Sequence, residues 1–392
     1  MKKQLFIIVA LLMVNWGLFA QQKIEDVLQA VEQNNTTLAA LRKNADAEKL
    51  NNRSGIFLEN PEVEYHYLWV EPDAVGNRTD VSISQSFDFP TVYKFRNNIS
   101  NIKNEQVELQ FDKQKKDVLL ETRLTCNELI YTNAMHAELD KRKLLADSIF
   151  VAYKQRFDAG ETNILEYNKS RLNKLSAEKE LEAVEIEQKA LLIKLQGLNG
   201  GKPLDFSLKQ FPILNIPSDF EKWYLVAEQK NPMLSWLKKE VQIRENKIKL
   251  SKAEQLPKIN TGYMSEKRDA AHFQGFIIGV TIPLWENINT VKHAKAEAEA
   301  LQSVTRDNKL RFYNLLKATH QKFIQLQENV VEYKSGMEDV NNASFLEKAL
   351  NHGEIGLIDY ILELSVYNES IDKILEMEKK LNDAFAELNQ YM

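Results

Sequence analysis

Slid along itself by 193 residues, this chain matches itself. Pro90 falls on Pro283, Gly160-Glu161 on Gly353-Glu354, Leu165-Glu166-Tyr167 on Ile358-Asp359-Tyr360, and Leu195 on Leu388. Upstream the offset is 196: Asn35 meets Asn231, Leu38 meets Leu234, Leu41 meets Leu237 and Pro61 meets Pro257. The change of offset lies between Pro61 and Pro90, so the first copy has the longer loop there. The chain is thus two copies of one structural unit. Any fold it adopts must be built twice and must let the two copies fit each other.

Composition narrows the unit. Only 13 Gly and 9 Pro occur in 392 residues. Few turn formers mean few turns and long elements, which argues against a Rossmann-type domain or a β-sandwich. At 44% apolar and 27% charged the chain is not disordered. A formal charge of -5 without a basic cluster excludes a nucleic-acid binder.

Both copies read alike. An amphipathic helix (23–55; 219–254) precedes a prolyl break at Pro61 or Pro257. Two short period-two runs follow, ending at Pro90 and Pro283. A long helical stretch (94–157; 289–350), a turn at Gly160 or Gly353 and a return helix (162–199; 357–391) complete the unit. Residues 200–218 link the copies and hold three of the prolines. Leu181, Val184, Gln188, Leu191, Leu195 and Leu198 alternate at spacings of three and four, a coiled-coil seam repeated from Ile374 to Tyr391. The long helix of about 96 Å is matched by two shorter helices end to end. This predicts a rod with the linker bulging at its midpoint. The boundaries are therefore 1–20 leader, 21–199 first repeat, 200–218 equatorial linker and 219–392 second repeat.

Residues 1–20 carry Lys2-Lys3, an apolar stretch from Leu5 to Val14 and a cleavage-like Ala20, a secretory signal peptide of bacterial look. No cysteine follows, which excludes a lipoprotein. The one cysteine, Cys126, excludes an internal disulfide and a multi-cysteine metal site, and reads as a buried helix residue. No later apolar run reaches 18 residues, so entry into a membrane would be as a β-barrel.

The period-two runs suit that. Val63, Tyr65, Tyr67 and Trp69 alternate with Glu62, Glu64, His66 and Leu68; Val81, Ile83, Phe87 and Phe89 alternate with serines and Asp88. In the second copy Ile259 and Tyr263 alternate with polar residues, as do Phe276, Ile278, Val280 and Ile282, with Ile277 out of phase. A half-buried sheet in a soluble protein shows the same alternation. The Ser, Gly, Asp and Glu of the polar faces and the lack of any element to cover the apolar ones favour lipid. Four strands cannot close a barrel, for which about eight are needed, whereas three copies supply twelve. The fold class is mainly α with a small β part: long antiparallel coiled coils plus four strands per chain.

The order of elements and the turn motifs RFDAGETNILEYNKSRLNKL (156–175) and ALNHGEIGLIDYILELSVYNES (349–370) resemble the TolC-like outer-membrane efflux family over the whole mature chain. The Gly-Glu turns are similar to its metal-efflux branch. The resemblance implies a homotrimer with a twelve-stranded barrel in outer-membrane lipid on a periplasmic α-barrel. It implies no enzymatic activity and no cofactor. Substrates, metal ions or small toxic compounds, would leave passively from an inner-membrane pump through a periplasmic adaptor. The turns Gly160-Glu161 and Gly353-Glu354 would be adaptor-docking tips. Asp359 takes the position of the family's aperture acid, with Glu166 its counterpart in the first copy. The family's second acid falls on Leu362, with Glu363 beside it. The short strand loops and midpoint imply a lean equator.

Two other classes share parts of this pattern. An exported coiled-coil adaptor without a pore would share the long helices but should lack duplicated lipid-facing strands. An exported enzyme needs a convergent site, and no G-x-S-x-G, H-E-x-x-H or phosphate loop occurs. The six histidines are scattered, and no metal site is assigned.

Overall fold

Two leading helices, a hairpin, a long helix and a return helix are laid down twice along the chain. The computed structural model describes residues 23–70, 76–212, 214, 219–268, 271–338 and 343–392. The leader and part of the linker lie outside these residues. In the first copy the elements are α1 (Ile24–Asn34), α2 (Thr36–Asn51), β1 (Glu62–Leu68), β2 (Arg78–Phe87), α3 (Pro90–Asp158) and α4 (Ile164–Leu198). In the second they are α5 (Phe220–Lys230), α6 (Pro232–Ala253), β3 (Lys258–Arg268), β4 (Ala271–Thr281), α7 (Thr290–Glu338), α8 (Ala343–His352) and α9 (Leu357–Asn389).

Each leading helix, expected as one piece, is two. The break falls at Asn35 and Asn231, which the repeat superposes. The Asn35 side chain accepts the Leu38 N–H at 2.8 Å. The Asn231 side chain accepts those of Met233 and Leu234 at 2.8 and 3.3 Å, and Pro232 opens the next helix. An asparagine with extended backbone whose oxygen captures the next helix's free N–H groups restarts a helix rather than continuing it. The long helix likewise begins at Pro90, earlier than expected, because a first-turn proline lacks only an N–H that had no partner anyway. The second long stretch is α7 and α8; residues 339–342 between them are not among those described.

The four strands form one antiparallel sheet in the order β1-β2-β3-β4. The copies therefore meet in the sheet at β2–β3. Below it, α3 packs between α2 and α6, and α6 against α7; further down the order is α4, α3, α9, α7. In every layer a first-copy element stands at one side and β4 or α7 at the other.

The predicted seam is core: Leu181, Leu191 and Leu195 are buried against α3, and Gln188 donates to the Asn133 side chain at 2.6 Å. The linker does not simply bulge. Phe206 is buried against Cys126, Leu129 and Leu195, and the Asn133 amide donates to the Leu208 carbonyl at 2.9 Å. A second equatorial core joins Trp223 and Tyr224 of α5, Phe312, Leu316 and Phe323 of α7, and Leu381, Ala384 and Leu388 of α9.

The end of α4 docks on the α1–α2 break. Asn35 donates to the Leu198 carbonyl at 2.7 Å, and Asn34 to the Asn199 side chain at 3.0 Å. Gly200 has φ +66°, and a Cβ on it would stand 2.1 Å from the Asn34 carbonyl oxygen. Gly201 has φ +84° but open space around it. Gly200→Ala should thus cost about 2 kcal/mol or more through strain and clash, and Gly201→Ala about 1 kcal/mol through strain alone. Thermal melting of the two variants checks the order, and equal melting points would contradict this docking.

Candidate functional site: the helical tips and the sheet

Two regions carry the residues that the sequence singles out. At one end of the long helices the chain reverses twice by the same device. Gly160 (φ +73°) sends its N–H to Phe157 O at 3.0 Å, and Glu161 its N–H to Arg156 O at 2.7 Å. Gly353 (φ +72°) and Glu354 repeat this on Leu350 and Ala349 at 3.1 and 2.9 Å. These are Schellman ends, in which a left-handed glycine closes the last turn and satisfies two free carbonyls. The next helix then starts at once, on Asn163 in the first copy, whose side chain accepts the Leu165 and Glu166 N–H groups at 2.9 and 3.0 Å. Glu161 and Glu354 are exposed on both turns.

The acids differ between the copies. Glu166 is half-buried and accepts a hydrogen bond from the Thr162 hydroxyl, so its carboxylate is engaged within its own tip. Asp359 lies in the first turn of α9, and Glu363 one turn later on the same side; both are exposed. Exposed Ile358, Leu362 and Val366 flank them.

Sequence reasoning missed what holds the second tip. Tyr360 and Leu357 are buried against Ile149 and Tyr153 of α3, with Leu346 and Leu350 of α8 alongside. Burial pushes the Tyr360 phenol above its ordinary pKa. Its counterpart Tyr167 instead stacks on Phe157 of its own hairpin, with ring centroids 4.9 Å apart. Higher up, Arg142 of α3 grips Asp372 of α9 with two contacts at 3.0 and 2.5 Å and donates to Asn368 O at 3.2 Å. The repeated tyrosine was the available signal for the first of these; nothing in a single sequence pairs Arg142 with Asp372.

At the other end, strand register sorts the sheet into two faces. One row joins Val63, Ile83, Tyr263 and Phe276, and the next joins Tyr65, Val81, Ser265 and Gln274. Tyr67, Phe87, Ile278 and Val280 lie on this same face, since residues two apart share a side. Phe276 and Ile278 are 88% and 80% exposed. Glu62, Glu64, His66, Asp80, Ser82, Ser84 and Glu266 share the opposite face, where Ile277 also falls. Trp69 and Phe89, expected within strands, lie just past the ends of β1 and β2; Phe89 instead caps α3. Trp69 stays beside Tyr67, 6.5 Å between ring centroids.

Among the described residues no helix is long and apolar enough to cross a membrane, and no group of three or more His, Cys, Asp or Glu is placed to hold a metal ion. No protein-family model and no curated protein sequence matches the chain. Solved structures do. A structure of CusC, described with its folding and transmembrane channel formation, superposes with a TM-score of 0.79 at 11% identity, over 94% of this chain and 92% of that one. The open state of the Neisseria gonorrhoeae MtrE outer membrane channel gives 0.73 at 11%, over 94% and 88%. The Campylobacter jejuni CmeC outer membrane channel gives 0.71 at 13%, over 94% and 85%. At such identities the likeness is one of fold, and it spans nearly the full length on both sides. The chain has the fold of the TolC-like outer-membrane efflux channels.

Proposed function

We propose that the chain is one protomer of a homotrimeric exit duct in the bacterial outer membrane. Metal ions or small toxic compounds pass through it passively, delivered by an inner-membrane pump through a periplasmic adaptor. The observation that carries this is the sheet: four strands, one apolar face left bare, and two unpaired edges at β1 and β4. Bare edges and a bare apolar face are liabilities in water. A closed barrel in lipid removes both, and three copies supply its twelve strands. An adaptor without a pore would leave that face in water. The helices support the same closure. Leu165, Leu172, Ile186 and Ile193 of α4 are 62–71% exposed and fall on one heptad position, interrupted only by Lys179, as a seam awaiting a neighbouring helix does.

In this reading Tyr65, Tyr67, Val81, Ile83, Phe87, Phe276, Ile278 and Val280 face lipid. The tips at Gly160-Glu161 and Gly353-Glu354 face the adaptor. Exposed Asp359, with Glu363 behind it, rings the periplasmic aperture, where three copies bring like charges together. Glu166 steadies its own tip.

Four measurements test this. The mature protein should fractionate with outer membranes and resist carbonate extraction, and soluble periplasmic recovery would sink the reading. Ile278→Lys should cost about 2–4 kcal/mol near the bilayer middle and much less if the residue faces a lumen. Gly353→Val forces a β-branched residue into φ +72°. It should impair transport while trimers, scored first on an unboiled gel, persist; normal transport would remove the turn from the functional tip. In planar bilayers the wild-type pore should prefer cations and be blocked by a trivalent cation from the tip side. Asp359→Ala should weaken both, and unchanged selectivity and block would move the aperture elsewhere.

A further inference from the structure

The polar face of the sheet is not uniformly acidic, and its order of charge suggests a second function for it. β1 follows α2 and β2 leads into α3, just as β3 follows α6 and β4 precedes α7. The hairpin ends are therefore the sheet's far end from the helices, the cell-exterior mouth on the duct reading. On the polar face the outermost row pairs Arg78 with Arg268. The next row inward joins His66, Asp80 and Glu266. Glu64 and Glu62 come next, and the next cation on this face is Lys258 at the helix end.

Arg78 is fixed rather than free. Its Nε donates to Asp80 at 2.7 Å, and its Nη2 lies 3.1 Å from the Glu266 carboxylate. The two acids sit on different strands, so one guanidinium spans the β2–β3 junction where the repeats meet. Asp80 is only 8% exposed. A planar guanidinium with two carboxylate partners keeps its charge in one place, unlike a long side chain waving in solvent.

We propose that Arg78, with Asp80, Glu266 and Arg268, forms a charge girdle that sets the ion preference of the duct's outer mouth. This rests on the duct reading. Three copies give an outer ring of arginines over a ring of carboxylates. The arginines mask the acids from the exterior, so multivalent cations outside are not drawn into the mouth. The girdle is separate from the aperture acids in sequence, in element and by the length of the long helix.

The test is single-channel recording on the full-length trimer with salt and a trivalent cation applied to each side in turn. Arg78→Ala removes one positive ring and unmasks Asp80 and Glu266. The cation-to-anion permeability ratio should rise roughly two- to fivefold at 0.1 M salt and shift little at 1 M, where the Debye length falls from about 10 to about 3 Å. Exterior trivalent block should strengthen while tip-side block stays as in wild type. Glu266→Gln should move the ratio toward anions, and Arg78→Lys should stay near wild type. If Arg78 were only a staple between the repeats, Arg78→Ala would lower trimer stability yet leave the permeability ratio of intact channels unchanged. That result, or equal changes in block from both sides, overturns the girdle. A wild type that forms trimers but no channels overturns the duct reading, and the girdle with it.

Discussion

The structure depends on one helix. α3 runs 69 residues without a break, about 100 Å, and α1, α2, α4, α6 and α9 all pack on it. Its middle is enclosed on several sides, so Thr122, Thr125, Asn127, Thr132 and Asn133 are as buried as Leu129 and Ile130. A buried polar side chain is costly without a partner. The three threonines each return their hydroxyl to the carbonyl four residues back at 2.7–2.8 Å. Asn127 donates to Asp383 of α9 at 2.9 Å, and burial raises that carboxyl's pKa. Cys126 in the same stretch is enclosed, and desolvation pushes its thiol up to about 12. It is inert packing, which also leaves introduced cysteines a quiet background.

Because the spine belongs to the first copy, the two copies cannot be equivalent, however alike their sequences. The first tip closes on itself through Tyr167 on Phe157, and its acid Glu166 is tied to Thr162. The second tip closes on the first copy: Tyr360 and Leu357 bury against α3, and Arg142 holds Asp372. The same tyrosine thus serves an internal stack in one copy and an inter-copy core in the other. The consequence for function is that Asp359 stays unengaged by its own hairpin, whereas Glu166 does not. Duplication supplied two tips, and at the repeated acidic position packing on one spine left only the second tip's acid free.

What could be read without coordinates follows from the range of each interaction. The duplication, the alternation of β2 and β4 and the glycine turns are local patterns, and local sterics enforce them. Asn35 and Asn231 were visible as matched residues, yet reading them as breaks needs the cap geometry, because an asparagine inside a helix costs only a few tenths of a kcal/mol. Phe206 lies in the stretch whose composition reads only as a linker, and its burial is not legible there because its partners Cys126 and Leu195 are distant or lie in another element. Trp69 and Phe89 kept the strand alternation but passed the ends of pairing, which only register reveals. Arg78 and Glu266 belong to different copies, so no pattern within a repeat joins them.

The two charged ends on the proposed duct are electrically isolated from each other. Between the hairpin end of the sheet and the tips lie a strand of 10 residues and a helix of 69. That is well over 100 Å, against a Debye length of about 8 Å at physiological salt. Neither end can sense the other through the solution in the bore. Any coupling between them has to travel through packed side chains, and α3 is the element that reaches from the sheet to both tips. Its contacts change character along the way: half-exposed ion pairs toward the sheet, where Arg42 of α2 meets Glu108 at 2.8 Å, buried amides and threonines at the equator, and apolar rings at the tips. Close-packed cores transmit displacement, whereas a surface ion pair re-forms with little cost after a small shift. Motion at the tips should therefore be absorbed above the equator, leaving the sheet and its charges fixed while the aperture opens.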